Sequence, residues 1–278
     1  DYGNLVANVT KDSGYGAQVR SARFNTIYYN PAITYQPWSN ADATLRANAN
    51  PLCALHNPER VGIGEAFCRN LAVDNTNYNT NRWQDYSTEY CDAGVACLRE
   101  VATRTFWPAS YFNYDGVGDP TQASSYTKVE IRPTQLTYTG DGRAARTDCT
   151  AGTCTYAQEI QNFANWYSFY RNRALATISA AALAFYDLSS EVRLSWQSLK
   201  DCTSFTSTNA SSTCRNNAFK AYSTAHKGQL YSWLQSVNFA GGTPLPDAMI
   251  RAGNFYMTDR PWEKNPGATG NTTANTYA

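Results

Sequence analysis

Cysteine is the residue type whose number and spacing constrain this chain most. The eight, Cys53, Cys68, Cys91, Cys97, Cys149, Cys154, Cys202 and Cys214, fall in four couples close in sequence. Zinc would call for paired ligands at short spacing, but no C-x-x-C is present, and His56 and His226 are the only histidines. Disulfides are therefore expected, and the neighbour scheme 53–68, 91–97, 149–154 and 202–214 is favoured because each couple brackets turn-forming residues. Such bridges persist in oxidising surroundings, so the chain is expected to be secreted, periplasmic or on the cell surface.

Other chemistries find less support. A glycosidase needs two carboxylates about 5–10 Å apart, and Glu130, Asp148, Glu159 and Glu191 are the available acids, with no spacing that pairs any two. Nucleophilic hydrolysis lacks a G-x-S-x-G elbow, and a phosphate loop lacks its G-x-x-x-x-G-K-S/T. His56, in a Leu-His-Asn-Pro turn, and His226, at the polar entry to a helix, read as surface or capping histidines. The loop Asn113-Tyr114-Asp115-Gly116-Val117-Gly118-Asp119 opens like a calcium loop, but its twelfth position is Ser124 where a bidentate Glu belongs, so it reads as a glycine-rich turn.

The elements that must position these residues come from a chain of 278 residues, enough for one large domain or two small ones. Lys plus Arg number 23 and Asp plus Glu 22, a net charge of +1 that offers no field for nucleic acid. Disorder is excluded by 42% hydrophobic and 14% aromatic residues. Only 16% are charged, against about 25% in ordinary domains, so hydroxyls and amides make much of the polar surface. The longest apolar run, Ala174 to Phe185, is too short for the roughly 20 residues a bilayer span needs. The opening Asp1-Tyr2-Gly3-Asn4 shows no signal-peptide core, as in a mature or truncated chain.

Up to Thr147 the chain reads as short extended pieces among Asn/Thr/Tyr/Pro loops, with its clearest strand from Tyr126 to Arg132, ended by Pro133. After that the character changes. Thr155 and Gln158 have capping-box spacing. Ile160, Phe163, Tyr167, Tyr170, Ala174, Ile178, Ala181 and Phe185 then predict one long amphipathic helix. A strand through Val192, Leu194 and Trp196 follows, then a helix with Leu230, Trp233, Leu234 and Val237, and a last helix from Leu245 to Tyr256.

Four ordered stretches resemble the type IV pilus tip-associated adhesins of the PilC/PilY type. They are Ile27 to Pro31 with Tyr35 to Trp38, Ser125 to Ile131, Arg146 to Cys154 with Asn162 to Arg171, and Gly242 to Leu245. The resemblance covers nearly the whole chain, and its most specific block is Asn162-Phe163-Ala164-Asn165-Trp166-Tyr167. It implies an α/β fold, a doubly wound von Willebrand factor A-like domain carrying a long disulfide-stapled, loop-rich insertion. Residues 1–147 would be the insertion lobe and 148–278 part of the α/β domain. It also implies a divalent cation, Mg or Ca, at the carboxyl ends of the strands. Thr243 matches the family's metal-loop threonine, although it also suits a helix N-cap before Pro244. The D-x-S-x-S element is absent, since Lys11-Asp12-Ser13-Gly14-Tyr15 departs at both ends, so a complete cation site is expected only in a longer protein.

The function implied is a non-enzymatic adhesion and pilus-assembly module, active in surface attachment, pilus biogenesis and twitching motility. Its partners would be minor pilins at the pilus tip and host or abiotic surfaces, with no nucleic acid and no membrane span. Most of the 20 tyrosines are expected in the core, with contacts made by a few exposed aromatics of the first half. A secreted carbohydrate-active enzyme and a purely structural, force-bearing element are the rival readings.

Overall fold

The computed structural model describes residues 14–64, 66–77, 104–199, 219–237, 239, 242–257 and 261. The chain divides into two compact units, Asp1–Trp38 with Leu45–Ser179, and Ser39–Thr44 with Ala180–Ala278. The boundary between these units lies after Ser179, and Thr147 falls within the first.

In the first unit a short helix α1 (Gly14–Val19) precedes a run of small strands. β1 (Ala54–Leu55) pairs with β2 (Cys68–Arg69), and β3 (Asn75–Asn77) with β4 (Arg104–Phe106). The largest sheet joins β5 (Ser110–Tyr114) to β6 (Tyr126–Glu130), in register from Ser110 opposite Glu130 to Tyr114 opposite Tyr126. β7 (Thr137–Tyr138) pairs with β8 (Cys154–Thr155), which runs directly into helix α2 (Tyr156–Phe169). Every strand pair among the described residues is antiparallel and two-stranded, so those residues form no doubly wound parallel sheet.

α2 begins where the capping box predicts: Thr155 Oγ1 accepts from the Gln158 N–H, and Gln158 Oε1 accepts from the Thr155 N–H at 2.8 Å. The helix is not the amphipathic surface element that its stripe predicts, because every residue from Asn162 to Phe169 is buried. A helix surrounded on all sides must satisfy its polar face internally, and Asn162 and Asn165 do this through the chain wrapped around them. The aromatic core lies against α2, with Tyr28, Tyr29, Tyr35, Trp107, Phe163 and Trp166 in one cluster.

The predicted single helix is two. Asn172 accepts from the Leu175 N–H at 3.0 Å and starts a new helix, α3 (Arg173–Ala184). The α2 carbonyls left open are taken up nearby: Arg171 Nη1 donates to Tyr167 O at 2.6 Å and Ser179 Oγ to Phe169 O at 2.9 Å. Trp38 Nε1 donates to Ser179 Oγ at 2.9 Å, pinning the break from the other side.

The second unit pairs β9 (Arg193–Leu194) with β10 (Lys220–Ala221). Helix α4 (Thr224–Ser236) is capped by Ser223, whose Oγ accepts from the His226 N–H, and it buries His226, Leu230, Tyr231 and Leu234. Helix α5 (Leu245–Tyr256) buries Ala248 and leaves Leu245, Met249 and Ile250 exposed. Among the described residues no helix is long and apolar enough to cross a membrane.

Candidate functional site

The first unit is organised by side chains of α2 that hydrogen-bond loop backbone. Extended segments outside a sheet still have N–H and C=O groups to satisfy, and an Asn amide is both donor and acceptor. Asn162 accepts from the Tyr35 N–H at 2.7 Å and donates to Ile33 O at 2.8 Å. One turn on, Asn165 accepts from the Ala49 N–H at 3.0 Å and donates to Tyr35 O at 2.9 Å. Trp166 Nε1 donates to Ile27 O at 2.9 Å, and Tyr170 to Gln36 O at 2.8 Å. The helix thus holds the stretch from Ile27 to Gln36, and the chain at Ala49, in place.

At the start of the same helix lies a buried ionic cluster. Arg143 Nη2 donates to Glu159 Oε1 at 2.7 Å and Nε to Oε2 at 3.2 Å. Arg146 bonds the other side of that carboxylate and reaches Asp148 at 2.9 and 2.6 Å. Tyr29 O–H donates to Glu159 Oε1 at 2.8 Å, while Arg143 donates to Tyr111 Oη at 2.6 Å and to Asp141 at 3.0 Å. Burial pushes the Tyr29 phenol well up, and the Glu159 charge adds to it. Burial alone would raise Asp148, but the Arg146 hydrogen bonds and charge outweigh it and hold the carboxyl below its ordinary value. Carboxylates so engaged are braces, not general acids or bases.

Above this cluster opens a cleft of about 620 Å³, within the size range of ligand sites. Tyr29, Tyr111 and Asp141 belong both to the ionic cluster and to the lining. Arg23 and Thr26 stand exposed on the wall, and Arg23 has no partner among the described residues. Tyr114 on the wall packs against two rings outside the lining, Phe24 edge-on at 5.1 Å and Tyr126 at 5.4 Å. Gly140, Asp141 and Gly142 are all left-handed, with φ of 72°, 51° and 78°. For Asp141 that costs about 1–2 kcal/mol, and its carboxylate is held by Arg143 and by the Tyr111 hydroxyl at 3.2 Å. The Gly-Asp-Gly run reads from sequence as a turn; its place on a cleft has no local signal.

The other sequence candidates lie apart from this cleft. Cys53 is bridged to Cys68 and Cys149 to Cys154, with no free cysteine among the described residues. Cys91, Cys97, Cys202 and Cys214, and the Lys11–Ser13 part of the Lys11–Tyr15 stretch compared with the metal loop, lie outside the described residues. Thr243 is exposed and is not the N-cap of α5, a position held by Pro244. No group of three or more His, Cys, Asp or Glu placed to hold a metal occurs among the described residues. Asp115 accepts from the Val117 and Gly118 N–H groups, and Asp119 from Thr121, so the loop at 113–119 spends these carboxylates on its own turns. Neither histidine is a surface group. His56 is buried with Nδ1 3.0 Å from the Tyr167 hydroxyl. His226 is buried with Nε2 2.8 Å from Leu194 O, and burial lowers its pKa. Of the candidate acids, Glu130 pairs with Arg132 and Lys128, and Glu159 and Asp148 with the cluster arginines. Among the described residues of the first half, the large exposed aromatics are Phe24 and Phe67, while Tyr28, Tyr35, Trp38 and Trp107 are buried.

These features define a disulfide-bridged module with ligand-sized clefts and its strongest charges locked inside. Comparison with known proteins places it beside pilus proteins. Over 246 residues, 88% of this chain, it is 47% identical to the type IV pilus biogenesis factor PilY1 of Pseudomonas aeruginosa strain UCBPP-PA14. It is 42% identical over 137 residues (47% of this chain) to the protein of that name from strain PAO1, and 38% over 165 residues (58%) to the one from strain PAK. The matched part is 12–18% of the length of these curated relatives. No family model matches the chain. No solved structure matches it. The chain is thus related to a segment of the PilY1-type factors, and none of these names speaks of a von Willebrand factor A-like fold.

Proposed function

We propose that this chain is a segment of a type IV pilus biogenesis factor that acts at the pilus tip, outside the cell, in pilus assembly, surface attachment and twitching motility. The observation that carries the reading is the 47% identity over 88% of the chain to a PilY1 factor. The cysteine bridges fit export through the oxidising periplasm. In this reading the module is not an enzyme, since its buried acids are neutralised by arginines. Its partners are minor pilins on one side and host or abiotic surfaces on the other. The cleft beside Arg23, Thr26 and Tyr114 is the contact surface, because it combines an uncommitted cation with hydroxyls, amides and ring edges. The von Willebrand factor A-like frame, with a Mg or Ca ion near Thr243, belongs to the same proposal and draws its further strands from the longer protein.

The test replaces the matching segment of PilY1 in P. aeruginosa UCBPP-PA14 with this chain. Surface pili and twitching are expected to be restored relative to a segment deletion. An exported, folded chimera that restores neither would overturn the reading. Arg23→Glu with Thr26→Ala in the chimera is expected to reduce attachment while leaving surface pili intact; unchanged attachment would leave the module a force-bearing structure only.

A further inference from the structure

Strand β5 is paired with β6 along one edge. Tyr111 stands opposite Val129 and Asn113 opposite Thr127, while the Ile131 N–H donates to Ala109 O at 2.8 Å and the Asp115 N–H to Ser125 O at 3.0 Å. In an antiparallel ladder, residues that exchange bonds alternate with residues that do not. Ala109, Tyr111, Asn113 and Asp115 therefore spend their backbone groups on the β6 side, and Ser110, Phe112 and Tyr114 turn theirs the other way. On that other edge Ser110 O accepts from the Tyr28 hydroxyl at 2.7 Å, and the Phe112 N–H donates to Arg20 O at 3.0 Å. The cover ends there. After Arg20 the chain turns back on itself, with the Phe24 and Asn25 N–H groups both donating to Ser21 O. Phe112 O and the Tyr114 N–H, on either side of Asn113, have no partner among the described residues.

This open stretch borders the cleft above the ionic cluster, whose lining joins Phe112, Asn113 and Tyr114 to Ser21, Ala22 and Arg23. Ser21 is 2% exposed, and its hydroxyl has no hydrogen bond among the described residues. A backbone N–H or C=O covered without a partner costs free energy, so an occupant of this part of the cleft must bring a donor for Phe112 O and an acceptor for the Tyr114 N–H. One residue of an extended peptide brings both in its own main chain, and the next residues continue at the strand's spacing. The two strands of the sheet also differ in charge. β6 carries Lys128 and Glu130, and charged side chains discourage pairing at an edge, whereas β5 (Ser110–Tyr114) carries none. The uncommitted charge of the lining is Arg23, because Asp141 is already held by Arg143 and Tyr111.

We infer that a protein partner docks here by adding an extended, acidic segment to the open edge of β5, one of its residues donating to Phe112 O and accepting from the Tyr114 N–H while a carboxylate side chain pairs with Arg23. The inference rests on the reading of this cleft as the contact surface. It is tested on the purified full chain without pili, so its failure and a failure of the segment-exchange experiment stay distinct. The probe is acetyl-Val-Glu-Thr-Glu-Thr-Glu-Val-amide, whose acids share one face of a strand. Nitrogen-15 spectra are expected to show a saturable shift of the Tyr114 amide and slower hydrogen exchange there. The same peptide with the backbone nitrogens of its five central residues methylated keeps every side chain and loses the main-chain donors. It is expected to bind at least about tenfold more weakly. The counterpart with Gln for each Glu is expected to bind severalfold more weakly to the chain, and the difference is expected to vanish in Arg23→Gln, a change at an exposed position. Three results would overturn the inference: no response at the Tyr114 amide, equal binding of the methylated or the Gln peptide, or a Tyr114 response to lactose with none to the peptide, which would make the cleft a sugar site.

Discussion

Replacing Glu159 by Gln tests the physical account of the first unit most sharply. The carboxylate is fully buried and accepts from Arg143, Arg146 and Tyr29. A Gln keeps the shape but removes the charge and turns an amide N–H₂ toward guanidinium donors. Removing one partner of a buried pair costs about 3–5 kcal/mol, because the remaining charge stays buried without compensation. Asp141 and Asp148 soften this, as their side chains are 33% and 30% exposed and keep one contact to each arginine. The expected loss is therefore near the lower end, about 3 kcal/mol. With a urea slope of about 2 kcal/mol/M the midpoint of the first unit's transition should fall by about 1.5 M. Near-ultraviolet circular dichroism reads it, because Tyr29, Tyr111 and Trp166 lie in one cluster beside the carboxylate. The triple variant Glu159→Leu, Arg143→Met, Arg146→Leu is expected to be less destabilised than Glu159→Gln, since it removes the stranded charges as well. A loss under about 1 kcal/mol for Glu159→Gln would refute the claim that this cluster braces the fold.

Three further outcomes follow from the same structure. Asn165→Ala strands the Ala49 N–H and Tyr35 O, and should cost about 2–6 kcal/mol at about 1–3 per buried orphan; faster hydrogen exchange at the Ala49 amide checks it. Replacing the Cys53–Cys68 pair by Ser should cost about 3 kcal/mol and the Cys149–Cys154 pair about 2, because the separations are 15 and 5 residues; chemical unfolding of each double variant gives the order. Burial lowers the His226 pKa from its ordinary 6.5, so the neutral ring is the folded form. Its contribution should be complete above about pH 6.5 and decline as pH falls through the depressed folded value; imidazole NMR titration alongside stability, with His226→Gln flattening the slope, checks it.

Local signals were legible in the sequence and global partners were not. The capping box at Thr155 and the β6 strand ending before Pro133 appear because their determinants lie within a few residues. The division of one helix into α2 and α3 is invisible to a hydrophobic stripe that continues in phase through Tyr170 and Ala174. It depends on Asn172 and Ser179, whose roles need the folded neighbours Leu175 and Phe169. Both histidines read from the sequence as surface or capping groups and both are buried, because a polar residue in a polar context carries no sign of burial; their partners, Tyr167 and Leu194, lie 111 and 32 residues away. Glu159 and Asp148 were visible as acids, but Arg143 and Arg146 assign them to bracing, and no spacing rule anticipates that. The clefts have no local signature at all.

The block most specific to the resemblance read in the sequence, Asn162 to Tyr167, is buried throughout. Its side chains touch loop backbone, aromatic rings and the Tyr29 hydroxyl. Resemblance at those positions therefore reports how the chain is held together, and it says little about what the chain grips. The exposed groups that could contact a partner lie on segments that this scaffold presents: Arg23 and Thr26 at the cleft above the ionic cluster, and Leu52, Ile63 and Val73 at a second cleft beside the Cys53–Cys68 bridge. Substitutions there disturb few internal contacts, so binding preference can change while the α2 frame stays fixed. It follows that exchanging the exposed residues of one cleft between this chain and a PilY1 relative should transfer binding preference without moving the unfolding midpoint by more than about 0.5 kcal/mol per site. A swap that unfolds the module would show that the clefts are part of the core after all.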